Sequence, residues 1–228
     1  MTVPYYVPPE QLIKDRADFA RRGVARGRPA VVISAADGIL LATHNPSRAL
    51  VKISEVYDRI AFAGVGKYNE FEALRVAGIR YADLRGYAYD RSDVTARGLA
   101  GAYAQTIAAA FTAEPKPMEV EVAVAEVGHA QAADAVFLVS YDGSVNDEHP
   151  WALLGGVQAQ ARLDLAAGWR PGLPLAQAAA LAQAALGPEV PAAEVEAALL
   201  RRGVAGRAFS RLTTPLARLA EAPKKPAR

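Results

Sequence analysis

Between Arg28 and Val65 the sequence folds back on itself twice, and this pattern restricts the architecture more than any other stretch. Pro29–Ser34 is a short, apolar, β-branched run of the kind that fills a buried strand. Asp37-Gly38 is a two-residue hairpin signal, and Ile39–Thr43 is the returning strand. Asn45-Pro46-Ser47 turns the chain again. Leu50–Ser54 and Arg59–Ala63 then form a second pair around Glu55–Asp58, with Lys52 set in the first of them. Helical segments are read in the remaining chain.

The rest of the chain supplies them. Residues 1–8 show no helical period. Pro8-Pro9-Glu10 opens a helix in which Leu12, Ile13, Ala17 and Ala20 recur at helical spacing and Gly23 marks the end. A second helix is predicted over Lys67–Arg80, with Phe71, Leu74 and Ile79 on one side. A third covers Val94–Phe111, with Leu99, Tyr103, Thr106, Ile107 and Ala110 as its apolar face and Ser92 or Asp93 as its cap. Gly86–Arg91 between them reads as a glycine-led loop. Val120–Val127 alternates at period two, Ala135–Tyr141 is the next strand, and Asp142-Gly143 turns the chain. Trp151–Leu154 is a short strand, and Gly155-Gly156 steps into a helix over Gln158–Ala167. Leu175–Leu186, nearly all alanine and leucine, is a buried helix. Ala192–Leu200 taken alone favours helix.

Composition excludes several classes. At 228 residues the chain fits one domain with a sizeable core. A formal net charge of +2 does not mark a nucleic-acid binder, and no cysteine is available for disulfides or thiolate metal sites. The first residues lack the layout of a signal peptide, and no apolar run approaches the roughly 18 residues of a membrane span. The expectation is a soluble, cytoplasmic protein with no nucleic-acid or membrane partner. Gly64-Val65-Gly66-Lys67 is no phosphate loop, because Ala61 and Tyr68 stand where a glycine and a Ser or Thr are needed. His44, His129 and His149 lack metal-ligand spacing, and Ser34, Ser140 and Ser144 lack a nucleophile elbow, so no metal or cofactor is expected. Lys52 reads either as a solvated lysine at a strand end or as a binding group. The residues alone leave both open, as they do for the Tyr5-Tyr6 pair.

Asn45-Pro46-Ser47-Arg48, Lys52-Ile53-Ser54-Glu55, Gly66–Phe71 and Gly86–Arg91, set on this strand frame, resemble the proteasome-subunit family, and its actinobacterial α type in particular. The likeness runs from about Pro4 to Thr213. It implies an α+β fold: a four-layer αββα sandwich of two antiparallel sheets between helix layers, with an additional N-terminal helix. Residues 9–214 would be the single domain, 1–8 a gating tail and 215–228 a disordered C-terminal tail. Within that tail Glu221–Arg228, with two prolines and Lys224-Lys225, reads as disordered. The resemblance also places a strand at Ala192–Leu200, paired with Arg207–Leu212 against local propensity.

Active members of the family are N-terminal nucleophile hydrolases. Their first strand begins with a threonine whose hydroxyl attacks the peptide carbonyl while its free amine acts as base. The matching position here is Arg28, and no Gly-Thr junction precedes the strand. The catalytic aspartate falls on His44, the lysine on Lys52, and the oxyanion-hole glycine on Gly64. The resemblance thus implies a noncatalytic α subunit, in a heptameric ring of α subunits stacked on proteasome β subunits, that admits protein substrates. Thr2, Val3, Pro4, Tyr5, Tyr6, Val7 and Pro8 would gate the pore. Lys52 and the Gly64-Val65 backbone would receive the C-terminal carboxylate of an activator, including the ring-shaped ATPase that delivers pupylated proteins. Two rivals remain: an active β-type threonine peptidase, and another N-terminal nucleophile amidohydrolase. Arg28 and the residues preceding the first strand argue against the first; the second needs a Ser, Cys or Thr exposed at a strand start.

Overall fold

The computed structural model describes residues 8–156 and 159–221. Ten strands form two antiparallel five-stranded sheets. The first sheet holds β1 (Ala30–Ala35), β2 (Gly38–His44), β8 (Trp151–Leu154), β9 (Val195–Arg201) and β10 (Phe209–Arg211), in the order β10-β9-β2-β1-β8. The second runs β3-β4-β5-β6-β7 and is built from β3 (Ile53–Tyr57), β4 (Ile60–Gly66), β5 (Val120–Glu126), β6 (Ala135–Val139) and β7 (Val145–Asp147).

Strand periodicity assigns each side chain to a layer. In β1 every residue is buried, because Ala30 and Val32 face the other sheet while Val31, Ile33 and Ala35 face a helix layer. In β4, Ala61, Ala63 and Val65 join the inter-sheet core, and Ile60 and Phe62 turn to the opposite helix layer. That second layer is α2 (Tyr68–Ala88) and α3 (Ala96–Ala113), which contribute Phe71, Leu74, Leu99, Tyr103 and Ile107. The first sheet is covered by α4 (Ala159–Gly168), α5 (Leu175–Leu186) and α6 (Leu216–Ala220), with Ala178, Ala179 and Ala182 of α5 fully buried. With α1 (Pro9–Ala25) added, this is the expected αββα sandwich with an N-terminal helix.

Ala192–Leu200 is a strand for most of its length: one 3-10 turn at Ala192–Glu194 leads into β9. Seven residues of β9 pair with β2, so the ladder and the burial of Ala198 and Leu200 outweigh helix propensity.

Several boundaries differ from expectation. The turn of the second hairpin is Asp58-Arg59, and Glu55–Tyr57 belong to β3, because an irregularity between Glu55 and Tyr57 lets the strand continue. Helix α1 runs through Gly23, which is buried against Glu119, and ends at Ala25. Its expected apolar residues Leu12 and Ile13 are 50% and 57% exposed, and contact with the body is made by Ala20 and Val24. Helix α2 continues eight residues past Arg80 and absorbs Gly86–Ala88. Within the helix Gly86 makes room for Tyr57, since a Cβ there would lie 2.1 Å from the Tyr57 hydroxyl. Thr95 caps α3 by accepting from the Gly98 N–H at 3.2 Å, while Asp90 caps the preceding turn, and Thr106 is exposed. The C-terminal segment is ordered further than expected: α6 lies beyond Thr214, and Leu216 is buried on α5. Residues 222–228, and the tail residues Thr2, Val3, Pro4, Tyr5, Tyr6 and Val7, lie outside the described residues. Pro8 is exposed at the start of α1.

One end of the sandwich is closed by a buried ion pair. The Asp134 carboxylate, wholly shielded, accepts from Arg202 at 2.7 and 2.9 Å, from the Ser34 hydroxyl at 2.6 Å and from the Gly128 N–H at 2.8 Å. Ser34 belongs to the first sheet and Asp134 leads into the second, so these bonds cross the interface. Removing one partner of such a pair leaves an uncompensated buried charge. Arg202→Leu is therefore expected to lower unfolding free energy by about 3–5 kcal/mol in urea titrations. A loss below about 1 kcal/mol would show that the pair holds nothing together.

Candidate functional site

At the other end of the same interface the first strands of both sheets begin side by side. Arg28 precedes β1, Thr43 and His44 end β2, and Lys52 precedes β3. Lys52 is half-buried and its ammonium turns inward, donating to the Arg28 carbonyl at 2.7 Å, the Thr43 hydroxyl at 2.8 Å and the His44 carbonyl at 3.3 Å. Thr43 can accept because its own proton goes to the Pro29 carbonyl at 2.8 Å. The solvated-lysine reading fails on this geometry.

Glu196 of β9 fixes the lysine backbone. Its carboxylate accepts from the Lys52 N–H at 3.0 Å, the Ile53 N–H at 3.1 Å and the Asn45 side chain at 2.7 Å, and Arg211 pairs with it at 2.9 Å. Burial lowers the Lys52 pKa from 10.5 to about 8, with the Glu196 charge opposing the shift and the Arg28 charge adding to it. His44 lies between Arg28 and Glu194. A guanidinium only donates, so the Arg28 contact at 3.4 Å makes His44 Nδ1 the acceptor, and His44 Nε2–H donates to Glu194 at 2.8 Å.

These groups border a cavity of about 220 Å³ whose walls include Arg28, His44, Leu50, Lys52, Gly66 and Phe71. Of the expected docking residues, Gly64 donates its N–H to the Lys52 carbonyl at 3.0 Å, and the Val65 side chain is fully buried between the sheets. Gly66, two residues on, forms the wall. Its φ is +109° and a Cβ would lie 2.0 Å from the Glu119 carbonyl, so only glycine fits there. In Ala63-Gly64-Val65-Gly66 the residues alone do not say which glycine meets the cavity. Thr43 and Glu196 were also missed, since a threonine and a glutamate inside strands carry no motif.

A larger open depression of about 820 Å³ lies at the far end of β3, where Arg91 and Asp58 neutralise each other at 2.5 Å. Among the described residues no group of His, Cys, Asp or Glu stands close enough to hold a metal ion, and no helix is long and apolar enough to cross a membrane.

An αββα sandwich with a lysine held at the head of its first strand defines the class as the proteasome-type fold. The chain belongs to the proteasome subunit family: the family model described as "Proteasome subunit" matches residues 24–188. It is 58% identical over 226 residues to "Proteasome subunit alpha" of Xylanimonas cellulosilytica, covering 93% of each chain. It is 57% identical to the protein of that name from Sanguibacter keddieii, over 95% of this chain and 88% of the other. The Kineococcus radiotolerans protein of the same name is 55% identical over 95% of this chain and 96% of its own.

The depressed lysine pKa has a checkable sign. Because the folded value lies below the unfolded one, charging Lys52 opposes folding below pH 8, and that cost is relieved as pH rises from about 8 toward 10.5. In NMR titrations of 13C-methylated protein the Lys52 resonance is expected to titrate near 8. Arg28→Gln should raise the value and Glu196→Gln should lower it. A midpoint near 10.5 would contradict the buried geometry.

Proposed function

We propose that this chain is a noncatalytic α subunit of a proteasome core particle, assembling in a ring against a threonine-bearing β subunit and controlling admission of protein substrates. The observation that carries the reading is the residue at the head of β1. Arg28 supplies neither a hydroxyl nor a base there, since a guanidinium stays protonated at any physiological pH. His44 replaces the carboxylate of the family's active members. Lys52 alone keeps its place and its inward direction. Leu12 and Ile13, exposed on α1, support the docking of that helix on neighbouring subunits. The tail from Thr2 to Pro8 precedes the same helix and is proposed as the gate.

The chain alone is expected to hydrolyse no fluorogenic peptide. Particles assembled with a β partner should do so through the β threonine, and faster when residues 2–8 are deleted. Cleavage by the isolated chain, or covalent capture by an epoxyketone, would overturn the assignment. Equal rates for the deleted and full-length particles would reject the gate.

The cavity is proposed as a carboxylate dock for the C-termini of activators, a ring-shaped ATPase of the pupylation pathway among them. Its support is a cation kept charged against its own burial, beside apolar walls at Leu50 and Phe71. Lys52→Ala is expected to weaken activator binding by tens-fold, on the scale of about 2–5 kcal/mol for a desolvated partner, with assembly and peptide hydrolysis unchanged. The ammonium is mostly charged at pH 7 and about one-tenth charged at pH 9, so wild-type affinity should fall about tenfold across that range. Unchanged affinity in Lys52→Ala, measured by interferometry, would remove the dock.

A further inference from the structure

A donor census of the cavity leaves the lysine short. An ammonium has three protons, and in Lys52 all three point at protein acceptors: the Arg28 carbonyl, the Thr43 hydroxyl and the His44 carbonyl. An arriving carboxylate has to displace one of them, and the longest, to the His44 carbonyl at 3.3 Å, is the weakest held. One shared proton does not satisfy two carboxylate oxygens that leave water for a half-closed cleft.

A second donor stands in the same wall. The Arg28 side chain is exposed and, among the described residues, pairs with no carboxylate; its single polar contact is the long one to His44 Nδ1. That contact holds the guanidinium beside the cavity, and Glu194 fixes the imidazole tautomer that makes it possible. The carboxylates nearby are already engaged: Glu194 with His44, and Glu196 with the Lys52 and Ile53 N–H groups, Asn45 and Arg211.

We propose that Arg28, at the position where an active relative carries its nucleophile, is the second anion contact of this cavity, so that a bound terminal carboxylate is shared between the Lys52 ammonium and the Arg28 guanidinium. The inference rests on the docking reading and adds to it a residue and a stoichiometry of charge. The Arg28 charge is one of the causes that depress the Lys52 pKa, as two cations facing one empty cleft require, and an anion between them relieves that repulsion. The Arg28 backbone keeps its separate task of accepting from Lys52, which side-chain substitution leaves intact. His44 is a positioning residue in this arrangement.

The test uses the full chain and a fluorescein-labelled hexapeptide, uncharged apart from its free C-terminal carboxylate and ending in apolar residues, beside the same peptide as its C-terminal amide. Fluorescence anisotropy is read at several salt concentrations for the wild type, Arg28→Gln, Arg28→Lys and Lys52→Ala. Arg28→Gln is expected to weaken the carboxylate peptide about tenfold and to halve the steepness of its salt dependence, because one of two cations is gone. Arg28→Lys should recover most of the affinity. Binding of the amide should not change between these variants, which separates a charge contact from a structural effect. Wild-type affinity and salt slope in Arg28→Gln, with carboxylate still preferred over amide and lost in Lys52→Ala, would overturn this inference alone. Equal binding of carboxylate and amide by the wild type would overturn the docking reading and this inference with it.

Discussion

The structure depends on how closely two sheets can approach. Their shared layer mixes small and large side chains: Ala30, Ala61, Ala63, Ala123, Ala125, Ala152 and Ala198 lie in it beside Ile39, Leu41, Ile53, Leu138, Leu154, Leu200 and Phe209. On the outer faces Phe62, Phe71, Leu99 and Ile107 meet on one side, and Ile33, Leu40, Leu165 and Leu173 meet the alanines of α5 on the other. An apolar layer between the sheets and apolar layers outside them give strands such as β1 and β4 two buried faces, so those strands read as continuous apolar runs. The inter-sheet layer also leaves no room for polar groups except at the ends.

Both ends use that room. At one, Asp134 and Arg202 form a closed set of bonds with Ser34 and Gly128, and nothing remains for a ligand. At the other, Lys52 and Glu196 also cross between sheets, but the closure is incomplete. The lysine bonds to carbonyls and a hydroxyl instead of a carboxylate, and a cavity opens beside it. The first arrangement pairs charge with charge; the second holds a lysine against its own burial.

The strand ends decide which residues meet beside the cavity. Arg28 before β1, His44 at the end of β2 and Lys52 before β3 are brought together through the hairpin and the pairing of β1 with β2.

Much of this was legible in the chain. Alternation along Val120–Val127, the Asp37-Gly38 and Asp142-Gly143 turns, and the Ala-Leu face of Leu175–Leu186 set the strands, hairpins and helices, because they are local consequences of periodicity and turn chemistry. That Arg28 stands where the resemblance places the nucleophile followed from a count back from Gly38. What the sequence left undecided lies where distant segments meet. Whether Ala192–Leu200 is helix or strand was decided by the β2 ladder. Gly66 rather than Gly64 lines the cavity because the hydrogen bond from Gly64 points to Lys52. Glu196, more than 140 residues after Lys52, became part of the site through strand pairing alone. Propensity and spacing act over a few residues; burial, register and the direction of an N–H bond are set by neighbours the chain brings from far away, so only the tertiary structure fixes them.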